Sequence, residues 1–595
     1  MNNAVAEPDI HDQLIWEAFI EPIRTVIVVD DEYPTLDSLT DKEAGEMKNW
    51  SDKKQENILS VREILAFARD KKRSWLIDVH DAKDVTPEVE LAAAAHLHHS
   101  DLLVLDYHLQ GDDGGGDVAI AILRALAGGD HFNLVIVHTK GYDGAIDKVI
   151  REIALSLTCT DPSLVLSEKD SLSIKTALSQ WEEYDEEITS KLEAEISADT
   201  YLELRTKYPG NYQALFKLPA GQMILEILKG KPPELVIVSK QLALWLLIKK
   251  QGELEKQFSG IKLGSVIVGN TGGINWIKTE KLFVTVLSKG YKPEQFETKL
   301  MAAIKASFPS PHRLLLTKMR TEIEKRGLSA EAEILGDRYM QAEWLNEFLN
   351  PDPIDQKAVL YNTINRHWEA LGDRLRLSLD GFANSLHEHF SALGRDAVLA
   401  GCGINKSDIG SQEALKRFNC FSSTKPIDRA HLTTGQVFRM GNGAGGEHQY
   451  WICLSPACDM VPGRGNDLIG SDTLPFVAVR LYPIADGLAL KNATKNIFLF
   501  LNIDEAVCAF SIHKDGISQN PDWGQMYARN QGKFHDTNKL HIGSIIKTQE
   551  DLSLSWADAS VVTQLRSEYA LNLLQRIGAV LSRPGLGMNF KKLAQ

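Results

Sequence analysis

The chain has 595 residues, 44% of them hydrophobic and 24% charged, with a formal net charge of −15 at pH 7. That length is more than one hydrophobic core serves, and it predicts about three to four domains of ordinary globular composition. Net negative charge argues against broad binding to nucleic acid or to an anionic membrane, both of which need a positive surface.

Residues 1–23 hold a short amphipathic helix over 10–22. They mix acids with apolar residues and lack the basic start and apolar core of a signal peptide. From 24 to 197 the pattern alternates strand and helix. The expected strands are TVIVVDD from Thr25, WLIDV from Trp75, DLLVLD from Asp101, NLVIVHT from Asn133 and SLVLS from Ser163. Helical spacing separates them, and a long helix closes the series. Apolar strands alternating with helices predict a parallel sheet covered on both faces. Glu182, Glu183, Asp185, Glu186 and Glu187 read as a solvated helix face.

Residues 198–425 read as mostly helical, with a β-hairpin near 265–289 whose Asn270-Thr271-Gly272-Gly273 tip is a turn signal. Residues 430–595 read as a small β-rich domain with a closing helix. The fold class expected is therefore multidomain α/β. No stretch approaches the roughly 18 apolar residues that cross a bilayer. Six cysteines in a chain this long form no disulfide framework. A soluble cytoplasmic protein with reduced thiols is expected.

In an open parallel sheet, ligands bind outside the carboxyl ends of the strands. Asp30 and Asp31 end the first strand, Asp106 the third and Thr139 the fourth, and Lys169 follows the fifth. Three carboxylates on one rim repel each other and favour a hard cation with oxygen ligands, Mg²⁺ above all. Such a cation lets a phosphoryl donor approach an aspartate, and a lysine and a hydroxyl can hold the remaining oxygens.

The segments VIVVDDEYP, LLVLDYHLQGDDGG and LVIVHTK resemble the response-regulator receiver domain of two-component signalling. The resemblance covers residues 24–197 and implies a flavodoxin-like (βα)5 fold. It implies Asp106 as phosphoacceptor, with Mg²⁺ held by Asp30, Asp31, Asp106 and the backbone carbonyl of His108. Thr139 would be the switch hydroxyl and Lys169 the phosphate-contacting lysine, with Lys140 as its rival. A histidine-kinase-like ATPase is the implied phosphodonor. The segments EAFIEPIRTVIVVDDEYPTLDS and GDHFNLVIVHTKG are similar to a divergent receiver subfamily found in large bacterial conflict or anti-phage proteins.

This sequence departs from the receiver pattern in two ways. Glu168-Lys169-Asp170 stands where a Lys-Pro pair is usual, and no aromatic lies near Leu166, where the family carries a switch residue. The link from Glu32 to Gln55 is long and polar, suited equally to a lid and to a disordered insertion.

A second candidate site is Cys458 with Asp459, in HQYWICLSPACDM. A cysteine nucleophile needs a base, and His448, His513, His535 or His541 could supply one after folding. Buried structural cysteine is the competing reading. The leading functional expectation is a signalling protein regulated by phosphorylation of its receiver. The alternatives are a receiver-like docking module that takes no phosphate, and an enzyme with chemistry at Cys458 and Asp459.

Overall fold

A computed structural model describes residues 9–35, 52–70, 73, 75–80, 97–111, 115–208, 210–258, 263, 266–349, 356–427, 431–441, 448–462, 472–516, 520–547 and 552–581. The chain divides into two compact units. The first comprises residues 1–324 with 378–394, and the second 325–377 with 395–595. No described helix is long and apolar enough to cross a membrane.

The first unit is built on a seven-stranded sheet. Its strands are β1 (Thr25–Val29), β2 (Leu76–His80), β3 (Leu102–Leu105), β4 (Asn133–Thr139), β5 (Ile267–Thr271), β6 (Ile274–Lys278) and β7 (Leu282–Ser288). The spatial order is β2-β1-β3-β4-β7-β6-β5. The β2-β1-β3-β4-β7 portion is parallel throughout. Every residue of β3 and β4 is buried. Such two-sided burial explains why these strands read as unbroken apolar runs rather than alternating ones. The order of the parallel strands is the flavodoxin-like one, whose ligand crevice lies between β1 and β3.

Helices α1 (Ile10–Ile15), α2 (Asp52–Ala68), α3 (Asp117–Gly128) and α4 (Asp147–Thr158) accompany the first four strands. Apolar residues of α3 and α4, among them Leu123, Leu126, Val149 and Ile153, share one core with β3, β4 and β7.

The fifth strand is not the expected one. Ser163–Ser167 pairs with no strand, and Val165 is 74% exposed. Ser167 instead caps α5 (Glu168–Glu182), its hydroxyl accepting the Asp170 amide at 3.1 Å. The segment lies between Pro162 and that cap. The place beside β4 goes to β7, LFVTVLS, which matches β4 residue for residue from Asn133↔Leu282 to Thr139↔Ser288. Residue 197 is therefore not a boundary of this sheet.

The intervening helices include α6 (Ser239–Phe258), and their Ile174, Leu178, Tyr201, Leu242 and Trp245 join the same core. A buried Arg205–Asp161 pair at 2.9 Å and the Tyr201 hydroxyl on the Cys159 carbonyl tie them to the end of α4. The β5–β6 hairpin turns at Gly272 and Gly273, with φ of +60° and +80°. A two-residue turn of this twist needs that backbone, which only glycine adopts freely. After β7 come α7 (Phe296–Ala306) and, within α8 (Gln356–Leu393), the residues 378–394 that belong to this unit. The His11 ring of α1 stacks on His389 with centroids 4.8 Å apart, beside Phe308 and Phe390.

The second unit contains more than a small β-rich domain: it holds a closed antiparallel barrel. Its strands are β9 (Gln436–Met440), β10 (Gln449–Cys453), β11 (Thr473–Pro483), β14 (Trp523–Arg529), β15 (Lys539–Lys547) and β16 (Leu552–Leu565). The ring runs β10-β9-β16-β15-β14-β11 and closes by pairing β11 with β10. Side chains alternate along the strands, as pleating requires. Phe438, Cys453 and Ala478 share one core with Phe476 and Met526. Their neighbours Val437, Ile452 and Val479 pack in another. That second core also receives Ala570, Leu573 and Ile577 of the closing helix α9 (Ser567–Leu581) and the hairpin β12 (Phe498–Ile503) with β13 (Ala506–Ser511).

Candidate functional site

The carboxyl ends of β1, β3, β4 and β7 meet at one rim. Asp30 follows β1 and is 3% exposed; Asp106 follows β3 and is 6% exposed. The sheet sets both positions through main-chain bonds: the Asp30 amide donates to His80 and the Asp106 amide to Val29. Carboxylate oxygens of Asp30, Asp31 and Asp106 lie within 4.8 Å of one another. Three acids predicted from strand ends are thus brought together.

The lysine among them is Lys289, the residue after β7. Its Nζ lies 2.6 Å from Asp30 Oδ2 and 2.8 Å from Asp106 Oδ2. Its amide donates to the Thr139 carbonyl, so the β4–β7 register places it. The expected Lys169 is exposed in the first turn of α5, a consequence of its segment not entering the sheet. The rival Lys140 turns aside to Glu32 at 3.2 Å. The pattern that could have revealed Lys289 is LFVTVLSK itself, an apolar strand ending in hydroxyl then lysine, like NLVIVHTK. The residue three before Lys289 is Val286, so no aromatic stands at the family's switch spacing here either.

Burial dominates the electrostatics. It pushes the Asp30 carboxyl up to about 6, against the opposing pull of Lys289. Asp31 is also raised, by burial and by the charge of Asp106. Burial alone would lower Lys289, but Asp106 and Asp30 outweigh it and hold the ammonium charged. His138 is pushed down to about 4 by burial and by the neighbouring Lys289.

The remaining oxygens show what the site lacks. Asp106 Oδ1 accepts the Tyr107 amide at 2.7 Å, Asp30 Oδ1 the Glu32 amide at 3.0 Å and Asp31 Oδ2 the Gly111 amide at 3.1 Å. Asp31 Oδ1 is buried with no hydrogen-bond partner. Three carboxylates against one ammonium leave two negative charges, and a divalent cation with a preference for oxygen satisfies both that charge and the orphaned atom. The residues present fit such an ion.

Two loops flank the acids. Thr139 is fully buried, and its Oγ1 accepts the Gly141 amide at 3.1 Å. Gly141 has φ +69°, and an added Cβ would fall 2.3 Å from the Ala145 carbonyl oxygen. Tyr142 beyond it and Tyr107 beside Asp106 both donate their hydroxyls to Glu152 Oε2 of α4, at 2.8 and 2.6 Å. The His108 ring meets both tyrosine rings edge-on. Sequence reading missed this cluster, because a glutamate on a helix face carries no local signature.

The Cys458–Asp459 candidate is different. The Cys458 thiol is exposed and lies 3.5 Å from Asp459 Oδ1, and among the described residues it has no histidine partner. His535 stacks on His541, which pairs with Asp558. Cys453 is fully buried, its thiol pushed up to about 12 by that burial, as for a structural cysteine. Most of the Glu32–Gln55 link, 36–51, lies outside the described residues.

The first unit thus carries an open sheet with its parallel strands in the flavodoxin-like order, and an acidic, lysine-bearing rim at its β1/β3 crevice. Residues 22–193 match the family model described as the response receiver domain. This part of the chain is a receiver domain, a signalling module of the two-component type. No curated protein and no solved structure matches the chain.

Proposed function

We propose that Asp106 accepts a phosphoryl group from a phosphohistidine of a histidine-kinase-like ATPase, and that this modification regulates the protein. The observation that supports it best is the contact of Lys289 with Asp106 and Asp30 beside an unsatisfied buried oxygen of Asp31. Asp30, Asp31 and Asp106 would hold Mg²⁺, together with the backbone carbonyl of His108. When bound, the ion supplies positive charge to the oxygens of the incoming group.

The rest falls to the chain's own residues. An Asp106 carboxylate oxygen attacks phosphorus, the donor's phosphorus–nitrogen bond breaks, and the electron pair leaves with the imidazole. Lys289 Nζ, 2.8 Å from Asp106 Oδ2, holds that carboxylate at the rim for the attack. Lys289 then follows the charge from the carboxylate to the phosphoryl oxygens, and the Thr139 hydroxyl would donate to another. The buried rim excludes bulk water, which strengthens each of these contacts.

Intact-mass measurement with acetyl phosphate and Mg²⁺ tests this reading. The wild type should gain the mass of one phosphoryl group and Asp106→Asn should gain none. Equal gain in both, or none in either, would overturn it.

A further inference from the structure

Glu152 stands outside the rim, yet both flanking loops are tied to it. It lies on the first turns of α4 and is half-buried. Its Oε2 receives the hydroxyl of Tyr107, from the loop that carries Asp106, and of Tyr142, from the loop that carries Thr139. Two donors on one carboxylate oxygen form a charge-assisted pair, roughly twice as strong as neutral hydrogen bonds.

Each tyrosine is held by more than its hydroxyl. Tyr107 is fully buried, its ring filling the space where a Cβ on Gly116 would lie, 1.9 Å from Cζ. Tyr142 exchanges both main-chain bonds with Ala145, and Lys148 Nζ stands 3.9 Å over its ring. The loop from Gly141 to Ala145 is therefore a small rigid piece, with Tyr142 as its handle.

We infer that Glu152 is a positioning residue for the phosphoryl-accepting site, holding through Tyr142 the loop that Thr139 must draw toward a phosphoryl group. The inference rests on the proposed modification of Asp106. The link between the two ends is the Gly141 amide on Thr139 Oγ1. A hydroxyl tied to Gly141 cannot move toward Asp106 without pulling Gly141, and Tyr142 with it. Glu152 and a bound phosphoryl group therefore compete for one loop. Linkage is reciprocal: whatever loosens Tyr142 strengthens binding of the phosphoryl group, and the phosphoryl group in turn loosens Tyr142 and frees α4.

The test is the affinity for beryllofluoride with Mg²⁺, measured by calorimetry on the full chain. The variants are Tyr142→Phe, Glu152→Ala, Glu152→Gln and Asp106→Asn. Tyr142→Phe keeps the ring and loses only the hydroxyl, so it should stay folded with a slightly lower melting temperature yet bind on the order of 5-fold more tightly. Glu152→Ala should do the same. Glu152→Gln retains an acceptor oxygen and should return close to wild-type affinity. A residue that merely supports the fold would give weaker binding in all three. Unchanged or weaker binding in Tyr142→Phe and Glu152→Ala, with the wild type binding and Asp106→Asn not, overturns the role of Glu152 alone. Failure of the wild type to bind overturns the phosphoacceptor reading, and this one with it.

Discussion

Lys289 balances two buried carboxylates, and its own side chain is only 17% exposed. Its removal leaves Asp30 and Asp106 facing each other without compensation. Breaking a buried pair in this way costs about 3–5 kcal/mol. Lys289→Ala should therefore lose about that much in urea unfolding with a chelator present, and recover part of it as Mg²⁺ is added. Lys169→Ala, on an exposed helix turn, should stay within about 0.5 kcal/mol of the wild type. Equal loss in the two variants would break the assignment of Lys289.

His11 gives a pH dependence elsewhere in the first unit. Burial lowers its pKa from the ordinary 6.5, as do His389 and Lys305, while Asp9 and Asp12 oppose them. The unfolded chain takes a proton on His11 near 6.5 and the folded one takes it only at lower pH. Stability from this site is thus complete above 6.5 and falls as pH drops below it. Thermal unfolding between pH 7 and pH 5 should show a shallower loss in His11→Phe than in the wild type.

The acids and Thr139 were legible in the sequence, since each directly follows a long apolar strand. Lys289 was not, because a hairpin arm and a sheet's fifth strand have the same local pattern and only pairing tells them apart.

At the scale of elements, the loop after β4 depends on a backbone that side chains resist. Gly141→Ala would carry a methyl at φ +69° and against the Ala145 carbonyl. The left-handed conformation alone costs roughly 1–2 kcal/mol, and the contact adds to it. Denaturant unfolding should show at least that loss, with Gly144→Ala, where no atom lies within 4 Å, as the milder comparison.

Of the first four strands, β3 and β4 stand out in the chain as unbroken apolar runs, buried on both faces. The fifth place could not be read. Five residues after a proline have strand-like composition, but it is β7 that pairs with β4 along its whole length, and pairing between segments this far apart has no local signature. The barrel was legible only as several short strands. Closure depends on β11 pairing with β10, a contact that no periodicity encodes.

At the scale of the molecule, the sheet that carries the rim is interrupted between β4 and β7 by other structure. The portion 24–197 includes β4 but not β7, so its sheet would end on a fully buried strand with one bare edge. A fragment of residues 24–197 should therefore aggregate or be digested in limited proteolysis, while the full chain protects β4. A soluble, protected fragment would show that β7 is dispensable.

The same interruption sets a schedule for synthesis. Lys289 and Asp30 are separated by 259 positions. A ribosome adding about 5–20 residues per second needs roughly 13–50 s to cover that distance. For that interval the emerging chain carries Asp30 without its ammonium, and for a shorter one β4 without β7. Loop closure over such a span is slow as well as late. The nascent receiver therefore depends on whatever shields an open sheet edge, a chaperone or the helices already made, until the strand that completes it leaves the exit tunnel.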